Sequence, residues 1–181
     1  MFLRDTALTR PDPELIAYAG GIEGGRTLDR LHRLMAAIHR DVAFEVGATS
    51  AAHSAADAFR LRRGVCQDHA QIFIACARRR LGVPARYVSG HLSRSDGVYE
   101  QEAAHAWAEA YVEDLGWVGF DPANGVCPTD HYVRVAVGLD AQGATPIRGA
   151  SYGGGAESLS VALHVRPVQQ GQQQHQTRGW S

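Results

Sequence analysis

Apolar positions in the first half of the chain recur with a helical period. Leu28, Leu31, Met35, Ile38 and Val42 fall at three- and four-residue steps, the spacing that lines one face of an amphipathic helix. Thr27, just ahead of them, is the expected N-cap. Residues 1–26 read as a lead-in with Pro11, Pro13 and two glycine pairs, and a short helical turn is expected over 14–19. A second short helix is expected over 50–59, where Ala-rich sequence meets Asp57. Ile72-Phe73-Ile74-Ala75-Cys76-Ala77 is apolar nearly all round, the mark of a buried helix. Gly82 and Pro84 follow in the order that ends one. Beyond them the period changes to that of strands, expected over 86–92, 104–112, 116–121, 132–137 and 159–165. A Gly-rich loop over 149–155 separates the last two. Residues 169–181 (QQGQQQHQTRGWS) are polar and of low complexity. They bury too little to offset ordering entropy, so disorder is expected. Helices first and antiparallel strands afterwards make an α+β pattern, with one domain over 27–168.

The strand expected over 104–112 has two unlike faces. Ala104, Ala106, Ala108, Ala110 and Val112 share one, and His105, Trp107, Glu109 and Tyr111 share the other. The small face predicts close packing on a helix. The next strand follows the turn Glu113-Asp114-Leu115-Gly116. If Tyr111 pairs with Trp117, Asp121 falls opposite Trp107 and diagonal to His105, roughly 7 Å away between Cβ atoms, a gap that Asp and His can bridge. A two-residue slip would place them directly opposite. Both registers leave Asp121 able to accept the imidazole N–H.

Cys66 stands where Gly64-Val65 leads into the buried helix. A thiol there meets free first-turn N–H groups and the positive end of the helix dipole, which stabilise a thiolate. The same N–H groups can receive an oxyanion. Thiol, imidazole and carboxylate in that order form a nucleophile, a base and an orienter. Cys66 would attack a carboxamide carbon, His105 would protonate the leaving amine, and water or an amine would resolve the thioester.

Three segments carry a resemblance. GVCQDHAQIFIACARRRLGVPARYVSGHL (64–92), HAWAEAYVEDLGWVGFDPANG (105–125) and HYVRVAVGLD (131–140) resemble the bacterial transglutaminase-like domain, through a GVCxD box, HAW and a downstream DP. The resemblance runs from about Leu28 to Val168. It implies a papain-like α+β fold with Cys66 as nucleophile, His105 as general base and acid, and Asp121 as its orienter. It implies a peptide or protein carboxamide as substrate and no cofactor. Bacterial relatives often carry a β-rich region ahead of this core; the residues ahead of it here are too few to include one, so the expectation is either a fragment of a longer protein or a minimal version with a more open site. The family includes transamidating, proteolytic, amidase-like and inactive members, so a non-catalytic binding module that keeps the fold is the alternative.

Other residues have plainer readings. Asp68 in the first helical turn satisfies N–H groups. Gln67, Tyr87 and Trp107 are candidates to line the substrate cleft, with solvation for Gln67 and core packing for the aromatics as the competing readings. Cys76 points away from Cys66 into the core, and Cys127 lies on a loop beside Pro128. Cys66 and His69 have C-x-x-H spacing, but no second close pair completes a zinc site, and no metal is expected.

Composition adds little. In 181 residues, 45% are hydrophobic and 20% charged, with a net charge of −1, which is ordinary for one globular domain. The basic residues are scattered and all Arg, so no nucleic-acid or anionic-membrane surface is expected. No apolar run reaches the ~20 residues of a membrane span, and the N-terminus has no signal-like apolar core. Three cysteines are an odd count against a disulfide framework. A reduced cytoplasmic compartment is the expectation.

Overall fold

The computed structural model describes residues 1–92 and 104–145, together with the backbone of two two-residue strands, Glu100–Gln101 and Leu163–His164. The helices are α1 (Pro13–Gly20), α2 (Thr27–Asp41), α3 (Ala55–Leu61) and α4 (Cys66–Arg79). The strands are β1 (Ala43–Phe44), β2 (Arg63–Gly64), β3 (Ala85–Leu92), β4 (Glu100–Gln101), β5 (His105–Val112), β6 (Gly116–Phe120), β7 (Tyr132–Gly138) and β8 (Leu163–His164). Four antiparallel strands form the main sheet in the order β6-β5-β3-β7. Short pairs β1–β2 and β4–β8 stand apart from it. The fold is α+β, as the order of periodicities predicted. The Gly-rich loop at 149–155 and the tail at 169–181 lie outside the described residues. Of the strand expected over 159–165, the described part is β8.

Helix α4 is the centre. It touches α1, α2 and α3 as well as β3 and β5, and Ala70, Ile72, Phe73, Ile74, Ala75 and Ala77 are wholly buried. The small face of β5 is what lets it approach. Ala106, Ala108, Ala110 and Val112 belong to the same core cluster as the α4 side chains. Ala104 is exposed and precedes the strand, because pairing with β3 ends at Gly90 and His105. Phe73 stacks on Phe120 with ring centroids 5.1 Å apart, which ties α4 to the end of β6.

Two helix starts differ from expectation. Arg26, not Thr27, occupies the cap of α2, because the Arg26 carbonyl already accepts the first helical bond from Arg30 N–H. Helix α3 begins at Ala55 rather than at 50. Ser54 and Asp57 form a reciprocal capping box there, while residues 50–53 turn back on themselves through Ser50 N–H to His53 Nδ1.

The lead-in is stitched to the core. Leu8, Leu15 and Ala19 are buried. Arg78, 3% exposed, donates to the carbonyls of Arg4, Ala85 and Leu139 and to the Thr9 hydroxyl at 2.7–3.0 Å. Burial lowers its pKa to about 10, against the pull of Asp5 and Asp140. The guanidinium is therefore charged at neutral pH, and its cost of burial is offset by carbonyl dipoles rather than by a direct ion pair. Phe73→Ala should reduce unfolding free energy by about 3–5 kcal/mol, read from the urea midpoint. A loss under about 1 kcal/mol would mean that α4 is not the centre of the core.

Candidate active site

Cys66 is the first residue of α4. Val65 N–H is held by the Asp68 carboxylate at 2.8 Å, and the Thr49 hydroxyl donates to the same oxygen at 2.5 Å. Gly64 is required because Asp68 lies over it. A Cβ there would fall 2.8 Å from Asp68 Cβ and Cγ. Asp68 is thus the structural residue that presents Cys66, as its first-turn position implied. His69 turns away from Cys66. Its two ring nitrogens face the carbonyls of Val65 and Val42 at 2.9 and 3.0 Å. That geometry removes the C-x-x-H ligand reading. Among the described residues no cluster of three His, Cys, Asp or Glu side chains could hold a metal ion.

The hairpin of β5 and β6 has Tyr111 opposite Trp117 and Ala108 opposite Phe120, the first of the two registers considered above. Asp121 lies just past the ladder, in a bridge with Val126. From there its Oδ2 meets His105 Nε2 at 2.7 Å. This leaves Nδ1 as the nitrogen available to Cys66, which lies near enough to raise the ring's pKa. Burial opposes protonation of His105, but its bond to Asp121 and the nearness of Cys66 outweigh burial and raise its pKa to about 9. For Asp121, burial would raise the pKa, yet its bonds from His105, Tyr132 and Asn124 hold it below the ordinary carboxylate value. The site therefore contains an imidazole poised to be cationic between an anion and a thiol.

Asn124 and Tyr132 went unnoticed in the sequence. Asn124 Nδ2 and the Tyr132 hydroxyl each donate to Asp121 Oδ2 at 2.8 Å. The backbone N–H groups of Ala123 and Asn124 donate to Oδ1 at 3.0 and 3.2 Å. Asp121-Pro122-Ala123-Asn124-Gly125 is a turn signature that could have exposed Asn124, since an Asp side chain there caps the next two N–H groups. From α2, His39 approaches the Pro122 carbonyl at 3.2 Å. Its ring fills the space that a side chain on Gly125 would take, and Gly125 has φ +69°.

The three cleft candidates fall in different places. Gln67 is half-buried beside Cys66. Tyr87 is buried on the core side of β3; burial, with Cys66 and Asp68 nearby, raises its phenol. Trp107, 2% exposed, stacks on His105 with centroids 6.2 Å apart. Gly90 makes room for it, since a Cβ there would lie 2.6 Å from the indole. Beyond Trp107 on the same face, Glu109 is clamped by Arg86 at 2.6 Å and Arg134 at 3.0 Å. Cys76 is buried in α4, and Cys127 is half-buried.

Residues 16–122 match the model of the transglutaminase-like superfamily. The chain belongs to that superfamily. An uncharacterized protein of Mycobacterium leprae is 37% identical over 66% of this chain and 43% of its own length. One from Mycobacterium tuberculosis is 32% identical over 77% and 47%. The chain thus spans less than half the length of these relatives. Among solved structures, one from Cytophaga hutchinsonii, described as a candidate cysteine protease, has a TM-score of 0.67 and 29% identity over 78% of this chain and 47% of that one. The periplasmic domain of TgpA from Pseudomonas aeruginosa shares the fold, with a TM-score of 0.51 and 22% identity over 68% of this chain and 48% of that one. The transglutaminase-like chain described here therefore has the general fold of cysteine enzymes.

The raised pKa of His105 has a consequence for stability. Its folded value, about 9, lies above the ordinary 6.5. Stability from the bound proton is fully present below pH 6.5 and is lost as pH rises through 9. Urea unfolding from pH 6 to 10 should show wild type losing stability more steeply than His105→Gln across that window. Parallel curves would show that the ring gains no proton affinity on folding.

Proposed function

We propose that this transglutaminase-like domain is a cysteine-dependent acyl-transfer enzyme that breaks peptide or carboxamide bonds through a thioester on Cys66. The observation that carries the reading is the His105 ring, held at Nε2 by buried Asp121, with its other nitrogen left for Cys66 at the start of α4. The thiolate attacks the carboxamide carbon and forms the S–C bond. The C–N bond breaks as the imidazolium transfers its proton to the leaving amine. Water then attacks the thioester and gives its proton to neutral His105. The S–C bond breaks, the acid leaves, and the thiolate–imidazolium pair returns. Asp121 stays ionised throughout and stabilises the imidazolium. The N–H groups at the start of α4 are the natural donors to the oxyanion. The description of the Cytophaga hutchinsonii protein as a candidate cysteine protease favours hydrolysis over transfer to an amine.

Two assays test the reading. Iodoacetamide should label Cys66 of the native protein selectively near pH 6, and far more slowly in His105→Ala. Glutamine-containing peptides should release ammonia or be cleaved, with a loss of about 10³-fold or more in Cys66→Ala and His105→Ala. Hydroxamate formed in added hydroxylamine, without hydrolysis in its absence, would move the assignment to transamidation. Labelling of Cys66 no faster than in the unfolded chain, and unchanged in His105→Ala, would sink the enzymatic reading.

A further inference from the structure

The outer face of the sheet carries a three-ring cluster that the triad does not require. Trp107 stacks on His105, and Tyr132 meets His105 and Trp107 edge-on at 5.9 and 5.3 Å. Tyr132 belongs to β7, which pairs with β3 and not with β5 or β6. Its hydroxyl nevertheless reaches Asp121 Oδ2 at 2.8 Å. That oxygen also accepts from His105 Nε2 at 2.7 Å and Asn124 Nδ2 at 2.8 Å. Asn124 Nδ2 lies 3.5 Å from both the Tyr132 oxygen and His105 Nε2. Three donors thus share one oxygen of a carboxylate that is wholly buried.

We propose that Tyr132, seconded by Asn124, is a positioning residue that acts on the Cys66–His105 pair through Asp121: it shares Asp121 Oδ2 with Nε2 and draws off part of the charge that the ring feels. The proposal deepens the acyl-transfer reading and rests on it. The chemistry is general. A donor to a carboxylate oxygen draws off part of its negative charge and weakens what a neighbouring cation feels. Burial, then the bond to Asp121, raises the Tyr132 phenol to about 12, so it remains a donor across the working range. Among the described residues, the titratable groups facing His105 are Cys66 from α4, Asp121 beyond β6 and Tyr132 from β7. Those facing Tyr132 are His105, Asp121 and Cys127, beside the Asn124 amide. Arg134, two residues along β7, is engaged by Glu109, and His131 pairs outward with Asp130 at 4.0 Å.

The test is the NMR titration of the His105 ring in wild type, Tyr132→Phe, Asn124→Ala and a control, Tyr111→Phe. Tyr111 is 47% exposed and packs on Trp117 instead. The His105 midpoint should rise by about 0.5–1 unit in Tyr132→Phe. It should rise in Asn124→Ala also and stay put in the control. The alkaline limb of the Cys66 alkylation profile should move with it. A role limited to packing would lower thermal stability and leave the midpoint in place. An unmoved or lowered midpoint in both site variants would overturn the proposal, and Asn124→Ala carries the test if Tyr132→Phe does not fold. The titration needs no substrate. A wild-type protein without amide-cleaving activity would defeat the acyl-transfer reading while the titration still judged Tyr132.

Discussion

The buried carboxylate of Asp121 is the constraint around which the site is arranged. With no solvent to share its charge, it must find donors within the protein. It takes five: two backbone N–H groups, the Asn124 amide, the Tyr132 hydroxyl and the His105 ring. Each comes from a part of the chain that could otherwise move independently. The turn after β6 supplies three, β7 one and the start of β5 one. Satisfying one anion therefore aligns two strands and a loop, and His105 is oriented as a by-product of that satisfaction. A carboxylate so well served has no reason to take the imidazole proton, so its role is electrostatic.

The sheet and helix α4 meet this arrangement from opposite sides. Gly64 and Asp68 set the entry into α4, and hence the place of Cys66. The alanine face of β5 sets how near that helix can come. On the other face of β5, Trp107 and Glu109 continue the line that begins at His105. The first is packed between aromatic rings, and the second is clamped between two arginines. The strand is thus packed tightly on both faces, which restrains the residue at its end. Buried Arg78 does for the lead-in what Asp121 does for the site, since a charge without water recruits distant backbone carbonyls to itself.

Much of this was legible in the chain, and some of it was not. The α4 helix, its start at the cysteine and its stop ahead of Gly82 follow from local pattern. So does the hairpin: strand parity is enough to say that Asp121 and His105 can share a face, since pleating alternates strictly. Helix starts were misread by one residue at Thr27 and by several before α3. There a cap depends on which carbonyl takes the first helical bond and on whether a reciprocal partner such as Asp57 is in reach. Asn124 was within reach of a sequence argument, because its role rests on contacts within one turn.

Tyr132 was not. Its bond to Asp121 depends on β7 lying beyond β3, on a strand irregularity between Ser89 and Gly90, and on the bare backbone of Gly90, which admits the Trp107 ring. None of these is a local property. By itself the sequence determined the α+β class and the helix that begins at Cys66, and it allowed His105 and Asp121 a shared face, because periodicity and turn chemistry act over a few residues. The tertiary structure alone decided which donors complete Asp121, which of the three cleft candidates reaches His105, and that His69 faces away from Cys66. Those outcomes depend on how strands distant in sequence are ordered and how closely they pack.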